Sequence, residues 1–444
     1  MIAVLRITAL ACATLIGGPA VHAQNTYTTI NLVANSAAYS PQIVDPLLID
    51  GWGITLRPPG AGGHFWITNT ATGTTTTYVG DVAGVPLHQD ALTVVDIPPG
   101  LLQTAVDPDA LSQPAGQVYA GWSNSDFVVS AEGITGASKF IFATLDGTIS
   151  GWRDGMTRAV TMVDQSAGGS AFFGIAVTQQ PSGNRLYVAD FGLETVSVYN
   201  DQFQKVTTAG DWRAADIPPV FVPWNLQYVD GQIIALYARL GDETREEEHY
   251  PGYGYVAAFD LEGRHLHTYQ HGLFLNAPWG IAVAPDSFGP LAGKLLVANF
   301  ADGTIVAFDR ITHTFVDYLR GVDGQPLVVD GVWGMVFGNG VRLGYANHLY
   351  FAAGPNGEEN GVFGKIVWVN SACRADVSLT GGAPGHDGLV TVDDLVGCLS
   401  AFFGGDQSIA DVASPGGQST PDGALTVDDL VVYLAAFFGG CSGN

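Results

Sequence analysis

The sequence predicts an all-β propeller of about six four-stranded blades, followed by a small α-helical module at the C-terminus. Three observations carry this prediction. A motif of the form aromatic, Gly or Asn, hydrophobic recurs at Trp52-Gly53-Ile54, Phe173-Gly174-Ile175, Trp224-Asn225-Leu226, Trp279-Gly280-Ile281 and Trp333-Gly334-Met335. Each copy leads into an apolar run, a turn rich in Gly, Asp and Asn, and a second run of Thr, Val and aromatics, which is the composition of paired strands. Amphipathic helical periodicity is nearly absent before residue 390 and returns after it.

The units follow in order near 50–85, 120–165, 170–210, 220–272, 275–322 and 330–370. The second lacks the aromatic motif and follows a long insertion at 86–119. A repeated sheet that cannot bury both faces alone must stack on its neighbours, and radial closure does so while leaving few exposed edges.

Residues 1–23 read as a secretory leader. One basic residue (Arg6) precedes the apolar run Ile7 to Gly18, and Val21-His22-Ala23 supplies a cleavage site. That run is shorter than the ~20 residues a bilayer span requires. The chain carries 42 Asp and Glu against 17 Lys and Arg. Nucleic acid and anionic membranes are therefore disfavoured as partners, because both are gripped by cationic patches. Residues 24–370 form the predicted propeller and 371–444 the tail.

Several segments resemble a family of exported bacterial propellers without an assigned function: Asp50-Gly-Trp-Gly-Ile54, Phe65-Trp-Ile-Thr-Asn-Thr-Ala-Thr-Gly73, Asn276-Ala-Pro-Trp-Gly-Ile281, Leu296-Val-Ala-Asn-Phe300 and Ala353-Gly-Pro-Asn-Gly-Glu-Glu359. The blades are more distantly similar to NHL-type repeats. That resemblance implies an innermost Gly-Ile strand.

The tail holds a duplication offset by 35 residues: Ala375-Asp-Val matches Ala410-Asp-Val, and Asp387-Gly to Leu395 matches Asp422-Gly to Leu430. An Asp-Gly pair with a carboxylate seven positions later has calcium-loop spacing, in which Gly makes the turn and the later acid closes an oxygen cage at a helix start. Asp376, Asp387 and Asp394 form one candidate ligand set, and Asp411, Asp422 and Asp429 the other. The pair resembles a dockerin duplication with each loop enlarged by seven residues. That resemblance implies calcium as cofactor and a cohesin-like or other cell-surface anchoring partner. Leu395, Val396, Leu399, Phe402 and Phe403 are expected to share a helical face. Cys373 and Cys441 flank the repeats and suggest a disulfide, worth roughly 4 kcal/mol in the chain-entropy model. Cys398 is expected to be buried and free.

In the propeller, the turn-bearing face collects Asn69, Asp190, Asn299, Asn356, Glu358 and Glu359 as candidate rim ligands. Oxygen groups from several blades could hold a divalent cation beside an acid acting as base, similar in outline to metal-dependent lactonase propellers. Asn and Asp at strand ends are equally turn formers. His265, His267 and His271 alternate along one outer run, a second place for a metal or a plain solvent-facing strand. Two functional readings follow: a secreted or surface-held binding propeller tethered through its tail, and a metal-dependent hydrolase acting at the axial rim.

Overall fold

The computed structural model describes residues 25–369, apart from 59, 61, 182 and 242–245, and in the tail 375–378, 382, 390–412 and 424–439. The predicted leader, Cys373, Cys441, Asp387 and Asp422 lie outside the described residues.

Six sheets form the propeller, antiparallel apart from the short outer strand Ile43–Val44, which runs parallel to its neighbour Tyr27–Ala34. Their inner strands are Gly51–Leu56, Pro114–Tyr119, Phe172–Thr178, Phe221–Val229, Pro278–Val283 and Val332–Phe337. The aromatic-Gly motif thus lies on the innermost strand in each blade that carries it. The last sheet is completed by the N-terminal strand Tyr27–Ala34, which pairs antiparallel with Val362–Trp368 and closes the ring.

One sequence-based boundary is corrected. The second blade begins at Pro114–Tyr119, inside the segment read as an insertion. Ala115-Gly116-Gln117 is its copy of the motif, disguised because alanine replaces the aromatic. The same blade carries an extra hairpin, Val128–Ala131 with Ile134–Ala137.

The central strands are mostly apolar because both of their faces are buried. In Phe65–Asn69, Phe65 and Ile67 pack toward the sixth blade while Trp66 packs toward the second. In Leu295–Asn299, Leu296 and Ala298 serve the junction with the sixth blade, and Leu295 and Val297 the junction with the fourth. Six such clusters fill the six junctions. Strict alternation therefore appears in which neighbour a side chain meets, and hydrophobicity itself does not alternate.

The repeated glycine has a steric cause. A Cβ on Gly53, Gly116, Gly280 or Gly334 would collide with the backbone carbonyl of the adjacent inner strand, at Ala115, Phe173, Trp333 and Trp52 respectively. Inner strands approach so closely at the axis that a side chain does not fit.

In the tail, helices Val392–Gly404 and Val427–Gly439 stand at the same 35-residue offset. The expected shared face is corrected. Asp394, Cys398 and Ala401 are the buried line of the first helix, whereas Val396 and Phe403 are 55% and 80% exposed. Cys398 is buried and unpaired, as expected, and burial pushes its thiol up to about 11. Among the described residues, no helix is long and apolar enough to cross a membrane.

Candidate functional site

At one end of the axis the motif aromatics converge into a plug. The Trp52 and Trp333 rings meet edge-on with centroids 4.1 Å apart, Trp224 and Trp279 lie 5.4 and 5.7 Å from Trp333, and Phe173 lies 5.5 Å from Trp52. Phe300 stacks on Trp333 at 3.7 Å. Ala115 stands where the second blade would contribute a ring.

The turn-bearing face lies over this plug, and the predicted rim residues divide into two groups. Asn69, Asp190 and Asn299 end the second strand of three blades and are fully buried. The Asn69 amide donates to Thr74 Oγ1 and Thr76 Oγ1 at 3.1 and 3.2 Å. The Asp190 carboxylate accepts from Ser170 Oγ, Ala171 N and Leu193 N. Asn299 accepts from Asn276 N and donates to Phe274 O and Thr304 Oγ1. Asp190 and Asn299 hold the turn and the segment entering the inner strand of their own blade, whereas Asn69 ties its strand end to the following strand Thr74–Tyr78. Asn356 and Glu359 are exposed and joined by a 2.8 Å hydrogen bond.

Glu358 belongs to the second group. Its backbone is left-handed (φ 69), as is that of Asp50 (φ 52), an uncommon state for residues with a Cβ. Both side chains lie against Gly354, where a Cβ would meet Asp50 Oδ1 and Glu358 Cγ. Trp333 Nε1 donates to Asp50 Oδ1 at 3.3 Å. Burial, then the nearby Glu358 charge, holds the Asp50 carboxyl well above the usual carboxylate range. Glu358 is raised by burial and by Glu247, with His249 and the Trp52 indole opposing. Glu247 lies on the short fourth-blade strand Glu247–Glu248 and His249 follows it, meeting Phe300 edge-on at 5.4 Å. An acid pair over an aromatic floor therefore forms from two segments that the sequence flagged separately. Among the described residues, no three His, Cys, Asp or Glu side chains gather closely enough to hold an ion.

The outer-strand histidines do not converge. His265 pairs with Thr268 Oγ1, His271 with Gly252 O, and His267 stacks on His313 at 3.5 Å. Burial, His313 and His265 together bring the His267 imidazole down to about 4.

At the other end, beyond the plug, the axis opens as a cavity of about 310 Å³ bounded by all six inner strands. Gln117, Asn225, Gln227, Tyr119, Trp122 and Tyr228 are among its polar and aromatic members. Among the described residues, no Asp, Glu, Lys, Arg or His lines it. Gln117 is fixed by hydrogen bonds to Gly53 O and Trp66 O at 2.8 and 2.7 Å. Trp122 and Tyr228 remain 42% and 40% exposed. Neither this pocket nor its aromatics stood out in the sequence, because Trp122, past the end of Pro114–Tyr119, and Tyr228, near the end of Phe221–Val229, both fall outside the repeated motif.

In the tail, Asp394 Oδ1 accepts from Val377 N and Ser378 N at 2.8 Å, and its Oδ2 accepts from Thr391 N at 2.7 Å, capping the helix. Asp429 repeats this with Val412 N and Thr426 N at 2.9 and 2.7 Å. Asp376 and Asp411 are buried beside them, 1% and 8% exposed.

No protein-family model matches the chain. It is 27% identical over 346 residues to uncharacterized protein R648 of Acanthamoeba polyphaga mimivirus, covering 76% of this chain and 79% of that one. It is 29% identical over 206 residues to uncharacterized protein R640 of the same virus, covering 45% of this chain but only 38% of the relative. Similar solved structures include an α-L-arabinofuranosidase from Fusarium graminearum (10% identity, TM-score 0.46, 78% of this chain and 98% of that one). The aldose sugar dehydrogenase of Escherichia coli (14%, 0.44, 77% and 100%) and a streptogramin B lyase (11%, 0.40, 77% and 96%) are others. At these scores the structural likenesses carry no argument about activity. The relatives found in sequence are viral proteins without an assigned function.

Proposed function

We propose that the chain is a secreted or surface-held binding propeller whose axial cavity takes an uncharged ligand and whose tail is a calcium-supported tether. The lack of charge in the cavity wall supports the first part: the chain has a formal charge of −25, yet among the described residues no carboxylate or cation lines the cavity. A charged ligand there would lose its hydration without gaining a counter-charge. The reading predicts saturable binding of neutral compounds by the full chain, measured by calorimetry, and binding confined to charged compounds would refute it.

The tail supports a tether by its matched surfaces. Val392, Val396 and Phe403 fall on one stripe of the first helix, and Val427, Val431 and Phe438 repeat it on the second, all at least 55% exposed. Paired apolar stripes suit an anchoring protein, cohesin-like or otherwise. Residues 371–444 hold nine Asp and one Arg, so a cation relieves the repulsion among Asp376, Asp394, Asp411 and Asp429. Asp387 and Asp422 complete the two sets in this reading. Equilibrium dialysis of the full chain against calcium should give two ions, lost in the Asp394→Ala/Asp429→Ala variant.

A second reading, hydrolysis at the plugged rim, is favoured by the Asp50–Glu358 pair. A buried carboxyl held above its usual range beside a second carboxyl has the form of a general acid and base. A screen of esters and lactones with and without added divalent metal, repeated on Glu358→Gln, decides it: turnover that Glu358→Gln abolishes would establish hydrolysis.

A further inference from the structure

We infer that the axial cavity selects a neutral polyhydroxylated ligand, a saccharide or sugar-like polyol, held at its mouth between Trp122 and Tyr228. The inference rests on the binding reading above and names its ligand class.

Three features of the wall converge on that class. First, each inner strand is an edge of its sheet, hydrogen-bonded to a strand on one side only. The axial side of the wall is therefore built from strand edges, which present backbone N–H and C=O groups in alternation. A ligand whose every polar group both donates and accepts fits such a wall better than an ion or a hydrocarbon does. Hydroxyl groups have that property.

Second, the mouth carries two large aromatic rings that the fold leaves open to solvent. Trp122 is 42% exposed although it packs edge-on against Tyr119 with centroids 5.4 Å apart. Tyr228, 40% exposed, follows Gln227 at the end of the fourth inner strand. Rings held this way offer a flat apolar face at low entropic cost, and the C–H face of a pyranose is its natural complement. A purely apolar ligand would use the rings but leave the strand edges unsatisfied.

Third, the Gln227 amide has no side-chain hydrogen-bond partner among the described residues, in contrast to the fixed amides of Gln117 and Asn225. It is one neutral group free to pair with a hydroxyl. The volume of about 310 Å³ stands at the lower end of ligand pockets, roughly 300–1,000 Å³, which suits a short saccharide rather than a polymer threaded through the axis. The aromatic plug closes the far end in the same sense.

The test is ligand-observed NMR on the full chain with cellobiose, maltose, lactose and chitobiose, alongside glucuronate, glucosamine and cyclohexanol. Binding of at least one neutral disaccharide, weakened at least tenfold by Trp122→Ala and by Tyr228→Ala with the Tm unchanged, is the expected result. Saccharide binding that survives both substitutions would overturn the proposed location. Binding of cyclohexanol but of no saccharide would overturn the ligand class while leaving a neutral-ligand site standing. Failure of every neutral probe, or binding of glucuronate or glucosamine alone, would overturn the binding reading as well.

Discussion

The Asn225 amide donates a 2.5 Å hydrogen bond to the Trp279 carbonyl, at the one inner-strand position where a blade replaces the motif glycine. At Gly53, Gly116, Gly280 and Gly334 the neighbouring carbonyl approaches so closely that only glycine fits, while Gly174 leaves room for Asn225 itself. Here the side chain reaches that carbonyl and accepts from Leu226 N at 2.8 Å through its oxygen. Asn225→Ala is expected to destabilise the fold by about 1–3 kcal/mol by leaving buried groups unpaired. Gly280→Ala should cost a similar ~1–3 kcal/mol by forcing the inner strands apart. Urea unfolding of both variants measures this, and unchanged midpoints would contradict the axial-packing account.

The plug is expected to hold the ring together as well as to close it. Trp333 is fully buried and touches Trp52, Trp224, Trp279 and Phe300. Trp333→Ala should lose about 3–5 kcal/mol, the range for an aromatic removed from a packed core. Thermal unfolding provides the check.

Asp50 carries a pH signature. Its folded carboxyl binds a proton more tightly than an unfolded Asp does, because of burial first and Glu358 second. Its contribution to stability is therefore complete below the unfolded value of about 4 and declines as pH rises toward the folded value. Asp50→Asn keeps an acceptor for Trp333 Nε1 and removes the buried charge. The variant should melt higher than the parent at about pH 7, with the gap closing toward about pH 4.

A buried ion pair fixes the long first-blade loop. Lys365 Nζ lies 2.8 and 3.0 Å from the two Asp81 oxygens, and Tyr350 also donates to that carboxylate. Lys365→Met should cost roughly 3–5 kcal/mol by stranding Asp81, whereas Asp81→Leu combined with Lys365→Met should cost much less. The comparison of the single and double variants by chemical unfolding is the measurement.

The repeat made the propeller legible because aromatic-Gly-hydrophobic recurs for a steric reason that survives sequence change. It failed where one half of the reason sufficed: Ala115-Gly116 keeps the obligatory glycine but drops the ring, and the second blade was misplaced. The closing strand Tyr27–Ala34 was invisible because its partner, Val362–Trp368, lies at the far end of the propeller sequence. Asn69, Asp190 and Asn299 looked like rim ligands since turn-holding and ligand-binding use the same side chains, and only hydrogen-bond partners separate the two roles. The Asp50–Glu358 pair and the uncharged cavity are products of ring closure, which no local pattern encodes. In the tail, the 35-residue duplication was plain, but the orientation of each helix was not. Val396 and Phe403 read as core until Asp394 and Cys398 were seen to occupy it.

The most direct test of the account is a thermal-shift screen of the full chain against matched neutral, anionic and cationic small molecules, repeated on Trp122→Ala and Glu358→Gln. The account predicts that stabilising compounds are neutral, that Trp122→Ala abolishes their effect, and that Glu358→Gln preserves it. Stabilisation by charged compounds that depends on Glu358 and ignores Trp122 would contradict it, and would move the functional end of the propeller to the acidic rim.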